Sequence, residues 1–270
     1  MELPLILEPQ ALNDILNQPQ LCIIDLGKAQ SYQTAHIPGA IFLQYSNIVR
    51  IDKPTMGLLP SVEDLSTLVH RLGINNDTHV VAYDDEGGGC ASRFLWTLDY
   101  LGCKNFSLLN GGLHAWLDEQ LPLQTEIPSA PGHGNFNVAP NTDVVAERDY
   151  ILDRLQDDRV ALLDARSAEE FDGRKKLSAR GGHIPGAVNL DWLLLMDQAR
   201  KLRLKHAEEL RLMLGSLEVT AQKEVIVYCQ SHHRSALSYL ALKSLGYEKL
   251  RGYPGSWSDW GNREDTPIEM

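Results

Sequence analysis

Cys229 and Arg234 are the residues whose types and spacing best suit catalysis. Cys229 follows the apolar run Val225-Ile-Val-Tyr228, four residues separate it from Arg234, and a helical pattern of apolar residues begins at Ala236. This order predicts a strand, a tight loop and a helix, which would place the sulfur among backbone amides at the positive end of a helix. Such an environment binds anions and lowers the pKa of a thiol. Thiolate chemistry is therefore the first hypothesis; the alternative is a buried spacer, since free cysteine packs as a small hydrophobe.

The composition describes a soluble globular protein and limits its partners. The 270 residues suffice for one large domain or two of ordinary size. A net charge of −11 argues against binding to nucleic acids or anionic membranes. The N-terminus does not read as a secretory signal, and no run approaches the roughly 20 apolar residues of a membrane span, so we expect a cytoplasmic protein. The four scattered cysteines lack the spacing of a disulfide framework or a zinc site.

The chain contains an internal repeat. Ile23-Ile-Asp25 matches Leu162-Leu-Asp164 at an offset of 139 residues, and His36-Ile-Pro-Gly-Ala-Ile41 matches His183-Ile-Pro-Gly-Ala-Val188 at 147. Two further pairs match in the same order: Val80-Val-Ala-Tyr83 with Val225-Ile-Val-Tyr228 at an offset of 145, and Tyr100-Leu-Gly102 with Ser244-Leu-Gly246 at 144. Because the order is kept and the offsets drift only as loop insertions would cause, we predict two homologous domains.

Strands alternate with helical stretches in both copies. This alternation predicts an α/β fold in which each domain has a mostly parallel sheet flanked by helices. We place the first domain at residues 1–126 and the second at 142–270. Residues 127–141 between them are rich in proline and glycine and lack periodicity, which favours an extended linker on the surface of both domains.

The two copies differ at the position after the strand tyrosine. The second copy has Cys229 there, whereas the first has Asp84. A carboxylate within a ring of amides could mimic a bound anion, so the first copy is interpreted as an inactive domain that could serve as a partner-binding module. Cys90 comes six positions later, at or inside the following helix, which argues against a catalytic role for it.

Distinct motifs also close each half. Asn110-Gly-Gly-Leu-His-Ala-Trp116 ends the first half and Tyr253-Pro-Gly-Ser-Trp-Ser-Asp-Trp260 ends the second. Together with the His-Ile-Pro-Gly-Ala turn of each half and the cysteine loop of the second half only, they resemble the tandem-domain rhodanese family of sulfurtransferases over essentially the whole chain. The loop Cys-Gln-Ser-His-His-Arg is most similar to that of a bacterial group in this family.

The resemblance implies sulfane-sulfur transfer without a cofactor. The Cys229 thiolate would take sulfur from a small anionic donor such as thiosulfate, form a persulfide, and pass the sulfur to cyanide or to a small or protein thiol. Inward-facing amides would stabilise the persulfide charge as an oxyanion hole does. The loop residues expected to bind substrate and stabilise the persulfide are Gln230, Ser231, His232, His233, Arg234 and Ser235. We expect a monomer.

The roles of the charged loop residues stay open. Arg234 could hold an anionic donor or bind loop carbonyls. His232 and His233 could add a pH-dependent positive charge beside the thiolate, or they could lie in solvent without a role.

The donor also stays open. Thiosulfate-specific rhodaneses often carry Arg-Lys after the cysteine, and mercaptopyruvate sulfurtransferases resemble Cys-Gly-Ser-Gly-Val-Thr; neither matches here. The mercaptopyruvate enzymes are associated with a triad that would be Ser231, Asp25 and His36, yet the last two recur as Asp164 and His183, which favours a structural role.

One substrate-binding residue of the family is replaced. The family's substrate-binding arginine corresponds to Glu170, which counts against a carboxylate donor. The nearby residues that could replace it or wall the pocket are Arg174, Arg180 and Trp192.

Cysteine-dependent phosphatases and arsenate reductases of the same fold are the remaining alternative. Their loops place five residues between cysteine and arginine, which leaves room for a tetrahedral phosphate. Here there are four, from Gln230 to His233. The tighter ring favours a single sulfur atom.

Overall fold

The protein folds into two compact units in the computed structural model, which describes residues 2–129 and 132–270. Unit 1 takes the described residues of Met1–Ile48, Pro60–Asn141 and Asp197–Leu204. Unit 2 takes Val49–Leu59, Thr142–Met196 and Lys205–Met270. One division between the units falls after Asn141. Two short segments, Val49–Leu59 and Asp197–Leu204, are exchanged between the units, because their packing partners are distant in sequence and no local pattern reveals them. The domain bounds 1–126 and 142–270 stay a prediction.

The strands alternate with helices, as the sequence pattern predicts. The strands are β1 Ile6–Leu7, β2 Leu21–Asp25, β3 Ile41–Phe42, β4 Arg50–Asp52, β5 Thr55–Leu58, β6 His79–Tyr83, β7 Phe106–Leu109, β8 Val160–Asp164, β9 Val188–Asn189, β10 Met196–Asp197, β11 Arg203–Leu204, β12 Glu224–Tyr228 and β13 Leu250–Gly252. The helices are α1 Pro9–Asn13, α2 Ala29–Thr34, α3 Val62–Arg71, α4 Gly89–Tyr100, α5 Gly112–Asp118, α6 Arg148–Leu152, α7 Ala168–Phe171, α8 Ala207–Ser216, α9 Arg234–Ser244 and α10 Ser256–Trp260. Within the described ranges, no helix combines the length and the apolar character that crossing a bilayer requires.

Unit 1 is built on a parallel sheet with the strand order β1-β7-β6-β2-β3. Every residue of β6 is buried, as expected for a central strand of a parallel sheet that is covered on both faces. Strand β2 pairs with β6 from Leu21 opposite His79 to Asp25 opposite Tyr83. The acid and the tyrosine of the sequence repeat therefore lie side by side at the carboxyl edge of the sheet.

Unit 2 repeats this arrangement with the order β13-β12-β8-β9. Strand β12 pairs with β8 from Glu224 opposite Val160 to Tyr228 opposite Asp164, which reproduces the β6–β2 register. All pairs in this sheet are parallel, so the predicted α/β class is confirmed. Cys229 follows β12 at the carboxyl edge of an inner strand, where open α/β sheets place their ligand sites.

Strands β4 and β5 form an antiparallel hairpin that belongs to unit 2. Arg50 pairs with Leu58 and Asp52 with Thr55, and the turn contains a cis Lys53–Pro54 peptide bond. We refer to residues 50–58 as the hairpin. The first half of the sequence thus supplies a segment to the unit that carries Cys229.

The segment predicted as a linker, 127–141, runs without helix or strand through its described part and is grouped with unit 1; residues 130 and 131 lie outside the described residues. Its backbone is held by several hydrogen bonds, among them those from Gly134 N to His70 O (2.8 Å), from Phe136 N to Ile74 O (3.1 Å) and from Ala139 N to Leu101 O (3.0 Å). Phe136 is buried. The described part of this segment therefore has no regular secondary structure and is bound along unit 1.

Candidate active site

Cys229 lies between the end of β12 and the start of helix α9, with residues 230–233 forming the loop. The predicted order of strand, loop and helix is confirmed. The cysteine is only 1% exposed, and His232 turns the loop with a positive φ of 54°. Since the sulfur is nearly enclosed, it suits a small reagent or a narrow projecting group.

Helix α10 braces the loop through its first residues. The Ser256 hydroxyl accepts hydrogen bonds from the backbone N–H groups of Cys229 (3.3 Å) and His232 (3.0 Å). Trp257 N donates to Cys229 O and Ser258 N to Gln230 O, each at 2.9 Å. The closing motif of the second half therefore fixes the loop backbone at four points, which preorganises its remaining amides.

The loop favours the thiolate form of Cys229. Burial raises the pKa of the thiol, but the positive charge of Arg234, the Ser235 hydroxyl and the backbone N–H groups of Ser235 and Ser231 lower it, and the net pKa lies below the ordinary value of 9.0. A larger fraction of thiolate at neutral pH makes Cys229 a better nucleophile than a free cysteine. This environment argues against a mere buried spacer.

Arg234 forms a bidentate ion pair with Glu170. Its Nη1 donates to Oε2 at 2.7 Å and its Nη2 to Oε1 at 2.9 Å. Glu170 is 2% exposed and also forms a capping box with Ser167 at the start of α7. Its pKa, raised by burial, is lowered more by Arg234 and Ser167, to about 2. The carboxylate therefore stays charged and aims the guanidinium, which is a role that sequence reasoning did not assign to Glu170.

The other loop residues have distinct surroundings. Gln230 is buried and its Nε2 donates to Leu177 O (3.3 Å) and Ser178 Oγ (3.1 Å). His232 is fully buried, with Nδ1 2.8 Å from Ser235 Oγ, so the solvated alternative does not apply to it. Ser231 and His233 are half-buried.

Three further residues were expected near the substrate. Trp192 lies beside the loop, because its ring centroid is 5.8 Å from that of His233. Arg174 is exposed and pairs with Asp172. Arg180 binds Trp260 O and Thr266, which ties it to the C-terminal segment and gives it a structural role.

Comparison with known proteins assigns the family. The model of the rhodanese-like domain matches residues 8–119 and 147–263. The chain belongs to the rhodanese family. The repeat predicted from the sequence thus consists of two rhodanese domains, as expected.

Two sequence relatives and one solved structure align with this rhodanese over most of their lengths. It is 45% identical to thiosulfate sulfurtransferase of Azotobacter vinelandii, over 99% of this chain and 98% of the relative. It is 43% identical to thiosulfate sulfurtransferase of Pseudomonas aeruginosa, over 100% of this chain and 98% of the relative. The crystal structure of the 3-mercaptopyruvate sulfotransferase SseA from Escherichia coli has a TM-score of 0.84 at 30% identity and covers 94% of this chain and 99% of that one.

Asp84 fills the corresponding position of the first rhodanese domain. Its carboxylate is fully buried and accepts backbone N–H bonds from Glu86 (3.1 Å), Gly88 (2.7 Å) and Ala91 (3.0 Å). These amides satisfy the buried carboxylate of Asp84. Cys90 lies in the first turn of α4, and burial together with the Glu86 and Asp84 carboxylates raises its pKa, so its thiol is a poor nucleophile.

Replacing Asp84 by alanine should weaken unit 1 and leave sulfur transfer at Cys229 unchanged. Three amides lose their acceptor, and we expect the free energy of unfolding to fall by about 1–3 kcal/mol near pH 4. Burial raises the pKa of Asp84 from 3.8 to about 6. The stability that Asp84 contributes to the folded protein is fully present below its ordinary pKa and is lost as pH rises through about 6. The difference in unfolding free energy between wild type and Asp84→Ala should therefore shrink above pH 6. Denaturant unfolding near pH 4 and above pH 6 measures this stability difference. An Asp84→Ala protein that folds but has lost sulfur transfer would contradict the interpretation that the first domain takes no part in catalysis.

The turn histidine has equivalent structural partners in both units. His36 is fully buried, stacks on Tyr32 at 4.0 Å between centroids, and its Nδ1 lies 2.8 Å from Tyr32 O. His183 stacks on Phe171 at 3.6 Å with Nδ1 2.9 Å from Phe171 O. These equivalent arrangements support the structural interpretation of His36 over a role in a mercaptopyruvate triad.

Proposed function

We propose that the chain is a thiosulfate sulfurtransferase that works through a Cys229 persulfide. The observation that carries the proposal is an enclosed cysteine whose thiolate is favoured by Arg234, Ser235 and loop amides. The similarity to two enzymes named thiosulfate sulfurtransferase, at 45% and 43% identity over nearly the whole chain, supports it.

The reaction has two displacement steps. The Cys229 thiolate attacks the outer sulfur of thiosulfate; the sulfur–sulfur bond breaks, sulfite leaves with its electron pair, and a persulfide forms. Cyanide or a thiolate then attacks the outer persulfide sulfur, which restores the thiolate and gives thiocyanate or a new persulfide. The amides of Ser231 and Ser235 and the charge of Arg234 stabilise the anion in both steps because they are already oriented toward it.

Thiosulfate is a better candidate donor than 3-mercaptopyruvate. Glu170 places a buried carboxylate beside Arg234, so the guanidinium that would bind a donor carboxylate is already paired through both terminal nitrogens. Repulsion from Glu170 would act on either anionic donor, so the preference rests on this missing clamp for a carboxylate and on the two relatives named thiosulfate sulfurtransferase. The relationship to the mercaptopyruvate enzyme of Escherichia coli keeps that donor as the alternative to be compared.

The same pairing disfavours phosphatase or arsenate reductase activity. A phosphate clamp needs the fork of an arginine to face the oxygens of the substrate, and here both terminal nitrogens face Glu170. Only four residues separate Cys229 from Arg234, one fewer than in the phosphatase loops, which leaves less room for a tetrahedral phosphate.

Incubation with thiosulfate should add one sulfur atom to the protein. Intact-mass spectrometry measures the gain, and peptide mapping should assign it to Cys229. Added cyanide should remove it and release thiocyanate, and 3-mercaptopyruvate should load the cysteine more slowly. Hydrolysis of an aryl phosphate without any gain in mass would replace this proposal with the phosphatase one.

A cytoplasmic location, a monomeric state and a small-molecule or protein thiol as acceptor stay predictions. Cell fractionation, light scattering and acceptor competition assays would test them in turn.

A further inference from the structure

The hairpin of residues 50–58 touches the catalytic loop directly. Gly57 has a φ of +83°, and a Cβ built on it would lie 2.1 Å from Ser231 O, 2.8 Å from Ser231 C and 2.9 Å from Ser231 Cβ. The Gly57 backbone therefore packs against the peptide group that follows Ser231. Any larger residue would have to displace backbone there, and the positive φ adds strain to it.

Ser258 joins the hairpin to the same loop. Its backbone N–H donates to Gln230 O at 2.9 Å. Its hydroxyl accepts from Met56 N at 2.8 Å and lies 3.1 Å from Met56 O. Ser258 is 1% exposed, so these bonds are shielded from water. One residue of α10 thus holds a loop residue with its backbone and a hairpin residue with its side chain.

We propose that Gly57 is a positioning residue for sulfur transfer: by packing against the Ser231 carbonyl and Cβ, the hairpin fixes the backbone of Ser231 and with it the orientation of the Ser231 N–H toward the Cys229 sulfur. Helix α10 fixes the loop at Cys229, Gln230 and His232, whereas Ser231 is half-buried and is bounded by Gly57. This proposal rests on the proposed function only where kcat for sulfur transfer is measured; the alkylation of Cys229 tests it independently.

Gly57→Ala should lower kcat by about a hundredfold, as expected when a catalytic group moves by about an ångström. KM should change much less, because the variant misorients the amides that stabilise the anion and leaves Arg234 in place. The pH at which Cys229 becomes half-alkylated by iodoacetamide should rise, since the Ser231 amide would no longer favour the thiolate. A purely structural role would not move this midpoint.

Gly186→Ala is the matched control. Gly186 also lies in unit 2 and has a φ of +75°, but the nearest atom to its built Cβ is Leu155 O at 3.9 Å. It carries the same kind of backbone strain without the contact, so it should cost stability while kcat and the alkylation midpoint stay at the wild-type values.

Ser258→Ala provides a second test that does not depend on strain. It removes the hydroxyl that holds Met56 and keeps the backbone bond to Gln230, and we expect a loss in kcat on the order of fivefold, as for one hydrogen bond. A folded Gly57→Ala with wild-type kcat and midpoint, or equal losses in Gly186→Ala, would overturn the proposal. If Gly57→Ala does not fold, an unchanged kcat and midpoint in Ser258→Ala would overturn it. Wild-type protein that takes no sulfur from thiosulfate would instead refute the proposed function, and the alkylation midpoint would still test the hairpin.

Discussion

Cys229→Ala should abolish both sulfur uptake from thiosulfate and thiocyanate formation. In the proposed mechanism the transferred sulfur is bound covalently to Cys229, so without this thiol the activity should fall to the uncatalysed rate. Circular dichroism and denaturant unfolding should remain close to wild type, because the change removes one small buried atom. Intact-mass spectrometry after exposure to thiosulfate is the decisive measurement.

The other cysteines supply the control. Burial raises the pKa of Cys22 to about 12, and burial also raises that of Cys103. Neither thiol has the charge and amide environment of Cys229. Cys22→Ala, Cys90→Ala and Cys103→Ala should therefore keep full activity and take up one sulfur. A Cys229→Ala protein that still gains sulfur at another cysteine would refute the assignment of the nucleophile.

Arg234→Gln should reduce kcat by about 10²–10³-fold, the usual cost of losing one preorganised group that stabilises the developing charge. Loss of the guanidinium also removes the positive charge that lowers the Cys229 pKa, so the pH at which half of Cys229 is alkylated should rise. Arg234→Lys keeps the charge and loses the bidentate geometry; it should retain more of the thiolate but recover only part of kcat.

The same substitution should destabilise the fold through Glu170. A carboxylate that is 2% exposed would lose its partner, at a cost of about 3–5 kcal/mol. Glu170→Gln combined with Arg234→Gln should restore stability without restoring kcat, which separates folding from catalysis. In the wild type, the Glu170 pKa falls from 4.5 to about 2, so the stability from this pair is present above pH 4.5 and is lost as pH falls through about 2. A double variant as unstable as Arg234→Gln would show that the pair does not carry this energy.

Local patterns were sufficient to predict the strand, loop and helix that surround Cys229. Val225–Tyr228, the four loop residues and the apolar helix after Arg234 are contiguous, so the strand, loop and helix could be read in order. The repeat then predicted which strands would be equivalent, and the matching registers of β6 with β2 and β12 with β8 confirm it.

The supporting residues could not be predicted in this way. Glu170 is 64 positions from Arg234, and Gly57 is still farther from Ser231. Their roles depend on how distant segments meet, and no spacing rule encodes that. In the sequence, Glu170 indicates only the absence of an arginine, although the Ser167–Glu170 spacing of a capping box indicates a carboxylate with a fixed direction.

The exchanged segments bear on the order in which the protein can mature during synthesis. Unit 1 includes Asp197–Leu204, in which Leu204 N donates to Asn110 Oδ1 at 2.8 Å and Arg203 pairs with Glu8 at 3.1 Å. Unit 1 therefore cannot finish folding until residue 204 has left the ribosome. Val49–Leu59 is made early but can pack only after the rest of unit 2 has been synthesised. In most two-domain proteins the first domain finishes folding before the second is made, and this order does not apply here. Neither half of the chain, expressed alone, contains all the residues of its unit.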